Sequence, residues 1–124
     1  MNDTVTLFRP VGQQELGLIR DAQWRAFPPR LVGQPIFYPV LTEDYAVRIA
    51  REWNTKDPNS GFVGYVLQFE VNAHFLSQYE VQEAGGRDLL EYWIPAEELA
   101  IFNANIVGPI RVLHEFRPSG EKAS

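Results

Sequence analysis

The stretch Leu89-Leu90-Glu91-Tyr92-Trp93-Ile94 decides how this chain is read. It is a run of apolar and aromatic strand formers that contains one carboxylate. Along an extended strand, successive side chains alternate between faces. Leu90, Tyr92 and Ile94 then share one face, and Glu91 shares the other with Leu89 and Trp93. A lone carboxylate among such neighbours is costly, so it needs hydrogen-bond partners or a raised pKa. Two roles meet that need. One is a catalytic carboxylate held against a reacting bond; the other is an inward charge guarding a sheet edge against aggregation.

Gly85-Gly86 predicts a hairpin-type turn leading into this strand from an extended segment at 79–81. After it, Pro95 predicts a helix over 96–103. Gly108-Pro109 predicts a break before a last strand, 110–116, in which Ile110, Val112 and His114 alternate. Toward the N-terminus, 62–71 reads as a long strand. Val63, Tyr65, Leu67 and Phe69 alternate in it, with Val66 and Val71 interrupting, and Asn72 caps a brief helical turn to 76. Thr42 is the expected N-cap of a helix whose stripe is Tyr45, Ala46, Ile49, Ala50 and Trp53. Residues 54–61 have loop chemistry. Ahead of that helix, 35–40 reads as a short or edge strand bounded by Pro35 and Pro39. Residues 24–34 are irregular because of Pro28-Pro29. The opening strand, 5–11, is expected to end at Arg9, since Pro10 removes a ladder donor. Leu16, Ile19 and Ala22 set a helix over 13–22, weakened by Gly17. Five or six strands with two or three short helices predict an α+β domain built on a split or bent antiparallel sheet.

With 124 residues, 45% hydrophobic and 13% aromatic, the chain suits one packed domain, expected over 1–117 with a flexible tail at 118–124. Cysteine is absent, which excludes disulfides, thiolate metal sites and a cysteine nucleophile. The net charge of -5, with scattered basic residues, disfavours a nucleic-acid backbone as the main partner. It leaves room for a nucleotide held by one or two arginines. No apolar run approaches the ~20 residues that span a bilayer. The start, Met1-Asn2-Asp3-Thr4, lacks the basic-then-apolar layout of a secretory signal, so a cytoplasmic protein is expected. His74 and His114 have no metal-ligand spacing, no serine has a nucleophile-elbow context, and no glycine loop precedes a helix for phosphate. No metal is expected.

Three segments stand out together: Leu7-Phe8-Arg9-Pro10, Gln34-Pro35-Ile36-Phe37-Tyr38, and Leu90-Glu91-Tyr92-Trp93-Ile94-Pro95. An arginine, an aromatic and a glutamate from three strands resemble the constellation of the ADP-ribosyltransferase-like superfamily. The run before the alanine-bearing helix is similar to that of its RES-type NAD-degrading toxins. The whole chain is similar to short bacterial proteins commonly labelled "ADP-ribosylation/crystallin J1". The ADP-ribosylglycohydrolases properly so called are longer, helical and metal-dependent, and this chain has neither their length nor their acidic ligands.

The resemblance implies a small split-sheet fold that binds NAD as a substrate in a cleft. It implies cleavage of the nicotinamide-ribose bond, with transfer to a protein or nucleic-acid acceptor or to water. Glu91 would stabilise the oxocarbenium-like transition state, Arg9 would pair with a pyrophosphate or ribose oxygen, and Tyr38 would stack on nicotinamide. Arg30 and Gln34 would form the cleft wall. The chain departs from the family at Leu89, where arginine-modifying members carry a second glutamate. It also lacks their Ser-Thr-Ser element and has Arg9 where another branch has histidine. The competing class is a non-catalytic interaction module of immunity or antitoxin type. Its acidic surface would meet a basic partner, with Trp24, Tyr92 and Trp93 as anchors.

Overall fold

A computed structural model describes residues 3–118. Of the expected tail, 119–124 lie outside the described residues. The elements run β1 (Thr4–Val11), α1 (Gln13–Asp21), β2 (Ile36–Phe37), α2 (Glu43–Glu52), β3 (Gly64–Asn72), α3 (Ala73–Leu76), β4 (Val81–Glu83), β5 (Leu90–Tyr92), β6 (Ile94–Pro95), α4 (Leu99–Ala104) and β7 (Ile106–Phe116). Short 3₁₀ turns occupy Asn54–Lys56, Pro58–Ser60 and Ala96–Glu98. The class is α+β with antiparallel sheets. The described residues hold four α-helices rather than two or three, because the 72–76 turn and the helix after Pro95 both form.

β3 is the centre of the largest sheet, ordered β1-β3-β7. It is apolar at neighbouring positions because both of its faces are covered. Leu67, Phe69 and Val71 enter one core with Leu7 and Val11, closed by Ile19, Leu76, Leu99 and Phe102. Val66 turns the other way, into a second cluster with Phe8, Val40, Ala46 and Ala50. That second face is covered by α2. Thr42 starts α2 as expected, its Oγ1 accepting from the Tyr45 amide at 3.2 Å. Ala46 and Ala50 are buried, and Gly64 lies beneath them: a Cβ there would sit 2.4 Å from the Ala50 carbonyl oxygen. The expected apolar stripe does not extend to Trp53, which is 66% exposed at the helix end.

Segments 36–41 and 90–95 keep one antiparallel register throughout: Ile36↔Pro95, Phe37↔Ile94 and Val40↔Glu91. Pro39 has no amide proton, so the ladder thins to single bonds between these pairs. Val40 also pairs with Phe8, exchanging both backbone hydrogen bonds at 2.9 and 2.8 Å. The 36–41 segment thereby joins the β1 edge to β5 and its hairpin partner β4.

Two prolines behave differently from expectation. β1 continues beyond Arg9 to Val11, with Pro10 opposite Val66. The Phe8 amide points away from β3 toward Val40, and Pro10, two residues on, would point the same way. Its missing donor therefore removes nothing from the β1–β3 ladder. Gly108-Pro109 does not break the last strand either. β7 runs through it as an edge strand, with Gly108 at φ +80 inside a register irregularity.

Candidate functional site

The Glu91 side chain is held by two donors. Its Oε1 accepts from the Tyr45 hydroxyl at 3.0 Å and its Oε2 from Trp93 Nε1 at 2.7 Å. The residue is 8% exposed. Trp93 is the face-mate that strand alternation predicts, whereas Tyr45 comes from α2, which rests on that face of the sheet. Burial, and then the hydrogen bond to Glu91, push the Tyr45 phenol up to about 12.

Arg9 is 9% exposed, and each of its three guanidinium nitrogens donates a hydrogen bond. Its Nε and Nη2 donate to the two Glu15 carboxylate oxygens at 2.7 and 3.0 Å, and its Nη1 donates to the Tyr38 carbonyl at 3.3 Å. The guanidinium lies 4.6 Å from the Phe37 ring centroid. Glu15 lies in the first turn of α1, directly after the strand that carries Arg9, so this ion pair joins two neighbouring elements.

Arg9, Arg30 and Gln34 line one cavity of about 670 Å³, together with Leu18, Trp53 and Asn54. Arg30 donates from Nε to the Ile36 carbonyl at 3.1 Å, and its two Nη groups have no hydrogen-bond partner among the described residues. Burial, and secondarily the Arg9 charge, lower its pKa, while Glu15 and Tyr38 oppose that shift. Gln34 uses its Oε1 to accept from the Leu31 amide at 3.2 Å. Tyr38 is exposed beside this group, contributing its carbonyl to Arg9 and a phenol close enough to act on Arg30.

Glu91 does not join them. Residues paired directly across antiparallel strands share a face, and neighbours along one strand do not. Phe8, Val40 and Glu91 form one row of such pairs, so Glu91 projects to the side of Phe8, and Arg9 to the opposite side. A separate cavity of about 680 Å³ is lined by Tyr45, the partner of Glu91, with Arg48, Arg51 and Arg87, and Glu91 does not line it. The expected convergence of arginine and glutamate on one hollow is therefore absent. The cause is topological: 36–41 lies between β1 and β5 and sets which face each strand residue takes.

Sequence reasoning missed Tyr45, Glu15 and the wall formed by Trp53, Asn54 and Ser60. Only Glu15 carried a local signal, an acid in the first turn after an arginine-bearing strand. The aromatic anchors of the protein-binding alternative fare unevenly: Tyr92 is buried, Trp24 packs half-buried against the core, and Trp93 is exposed. His74 is exposed, and His114 meets Glu43 at 2.6 Å. Among the described residues no cluster of three or more His, Cys, Asp or Glu could hold a metal, and no helix is long and apolar enough to cross a membrane. Compared with protein-family models, curated proteins and solved structures, the chain matches none.

Proposed function

We propose that this chain is an ADP-ribosyltransferase-like domain that binds NAD or ADP-ribose in the Arg9–Arg30 cavity. One observation carries the reading. Three of the four residues assigned to the dinucleotide from sequence, Arg9, Arg30 and Gln34, line one cavity, and Arg30 has two Nη groups without a hydrogen-bond partner among the described residues. Arg9 has its charge paired with Glu15, so Arg30 is the pyrophosphate ligand and Arg9 positions the wall. Gln34 retains its amide NH₂ for a ribose or phosphate oxygen. Tyr38 borders the site.

Glu91 takes a different role. A carboxylate that stabilises an oxocarbenium must lie against the ribose, and this one faces the other side of the sheet while holding Tyr45 and Trp93. Recognition of the dinucleotide, without Glu91-driven cleavage, is the reading favoured.

Thermal unfolding tests it. NAD or ADP-ribose at a hundredfold excess over Kd should stabilise by about 2.7 kcal/mol, a midpoint rise of several degrees, and Arg30→Ala should abolish the rise. No shift with either ligand would transfer the case to the interaction-module alternative. Nicotinamide release should be the same for wild type and Glu91→Gln. Release by wild type that disappears in the variant would restore Glu91 as catalytic.

A further inference from the structure

The second cavity, of about 680 Å³, gathers charges that find few partners within the protein. One wall comes from α2. Asp44, Arg48 and Arg51 are spaced four and three residues apart, which puts them on one side of the helix. The other wall is the turn between β4 and β5, which adds Arg87 and Asp88. All five residues are exposed. The Arg48 and Arg87 side chains have neither a hydrogen bond nor an ion pair among the described residues, and the same holds for the Asp44 and Asp88 carboxylates. Arg51 reaches only its chain neighbour Glu52, at 3.5 Å. Arg48 lies close enough to Tyr45, another lining residue, for its charge to act on the phenol.

In a chain of net charge -5, three arginines on one cavity are a concentration of positive charge. Like charges on one helix side repel, and Asp44, one turn from Arg48, forms no direct pair that would relieve them. The turn contributes a second, independent set of donors. The amides of 85–88 make no hydrogen bond among the described residues, while those of Ala84 and Leu89 on either side close the turn. Gly85 is at φ +101, and successive free amides in a turn form an anion-binding concavity.

Guanidinium forks and turn amides suit phosphate oxygens. Carboxylates do not, but they accept from hydroxyl groups. The volume, about 680 Å³, falls in the range of small-molecule sites and exceeds what a bare phosphate fills.

We propose that this cavity is a second ligand site, taking a small phosphorylated polyol such as a sugar phosphate. Arg48, Arg51 and Arg87, with the turn amides, bind the phosphate, and Asp44 and Asp88 accept from hydroxyl groups. The site shares no lining residue with the Arg9–Arg30 cavity and does not rest on the dinucleotide reading.

Calorimetric titration of the full chain tests it. Ribose 5-phosphate and glucose 6-phosphate serve as pentose and hexose probes, with inorganic phosphate as the reference. At least one sugar phosphate should bind about tenfold tighter than inorganic phosphate or more. The double variant Arg48→Ala, Arg87→Ala should weaken it about tenfold or more, whereas Arg30→Ala, in the other cavity, should bind it like wild type. The double variant Asp44→Ala, Asp88→Ala removes the hydroxyl acceptors and should narrow the preference over inorganic phosphate. All four substituted side chains are exposed, so the core is left intact. If neither sugar phosphate outbinds inorganic phosphate, or if the aspartate variant keeps the preference, the polyol assignment falls. If the Arg48, Arg87 variant binds like wild type, this cavity is not the site. A loss in Arg30→Ala instead would move the binding to the first cavity and leave the dinucleotide reading standing.

Discussion

At the scale of single residues, Glu91 separates two properties that its sequence context joins. Its burial was legible because a charge inside an apolar strand has to be either satisfied or exposed. Its partner Tyr45 was not legible, since that contact links residues 46 positions apart and depends on which face α2 covers. Glu91→Gln keeps an acceptor for Trp93 and offers its NH₂ to the Tyr45 oxygen, so it should cost about 1 kcal/mol. Glu91→Ala strands both donors and should cost about 2–3 kcal/mol, as read from urea midpoints at constant slope. Tyr45 adds a pH dependence. The folded protein holds its phenolic proton up to about 12, whereas an unfolded chain releases it near the ordinary value of 10.0. Between those values the native state binds more protons, so this stabilisation is complete below pH 10 and declines as pH rises toward 12. Tyr79, raised by burial and by its bond to Glu98, has the same sign. Tyr45→Phe should therefore flatten the alkaline fall in stability in part, with the Tyr79 share remaining.

Among the elements, those announced by local chemistry appear where expected. Thr42 and Asn72 cap their helices through side-chain oxygens, and Gly85-Gly86 turns the β4–β5 hairpin. The departures arise where neighbours in space decide. Pro10 and Pro109 are tolerated because strand position hides a missing donor, and Trp53 leaves its stripe because α2 ends at the cavity rather than over the sheet. Close approach of α2 to β3 is set by Gly64, which the sequence reading places inside the 62–71 strand with no role of its own. Gly64→Ala would force a methyl against the Ala50 carbonyl, which is backbone and cannot swing aside. The expected loss is about 1–3 kcal/mol from overpacking. Thermal unfolding would check it, with Gly17→Ala, half-buried but with room for a Cβ, as a control expected to be neutral or slightly stabilising.

For the whole molecule, the legible part was the class: an α+β chain with an antiparallel sheet follows from the alternating runs and their turn residues. The order of strands was not legible, and it is what sends Arg9 and Glu91 to opposite faces. That order hangs on 36–41, a plank fastened to β1 by the two hydrogen bonds between Phe8 and Val40. β1 and β3, by contrast, pair along eight consecutive residues. The molecule thus has a seam in its hydrogen-bond ladder, and opening along it would break the Tyr45–Glu91 bond and draw Phe37, Tyr92 and Ile94 from the core they share with Leu7 and Phe69. Native-state hydrogen exchange should find the Val40 and Tyr92 amides less protected than those in the middle of β3; equal protection would mean that the two parts unfold as one. Because Arg9 reaches over from β1 to the Tyr38 carbonyl, anything that occupies its cavity grips both sides of the seam. Ligand binding would then act as a rivet, and the slowing of Val40 exchange would report occupancy from the opposite side of the sheet.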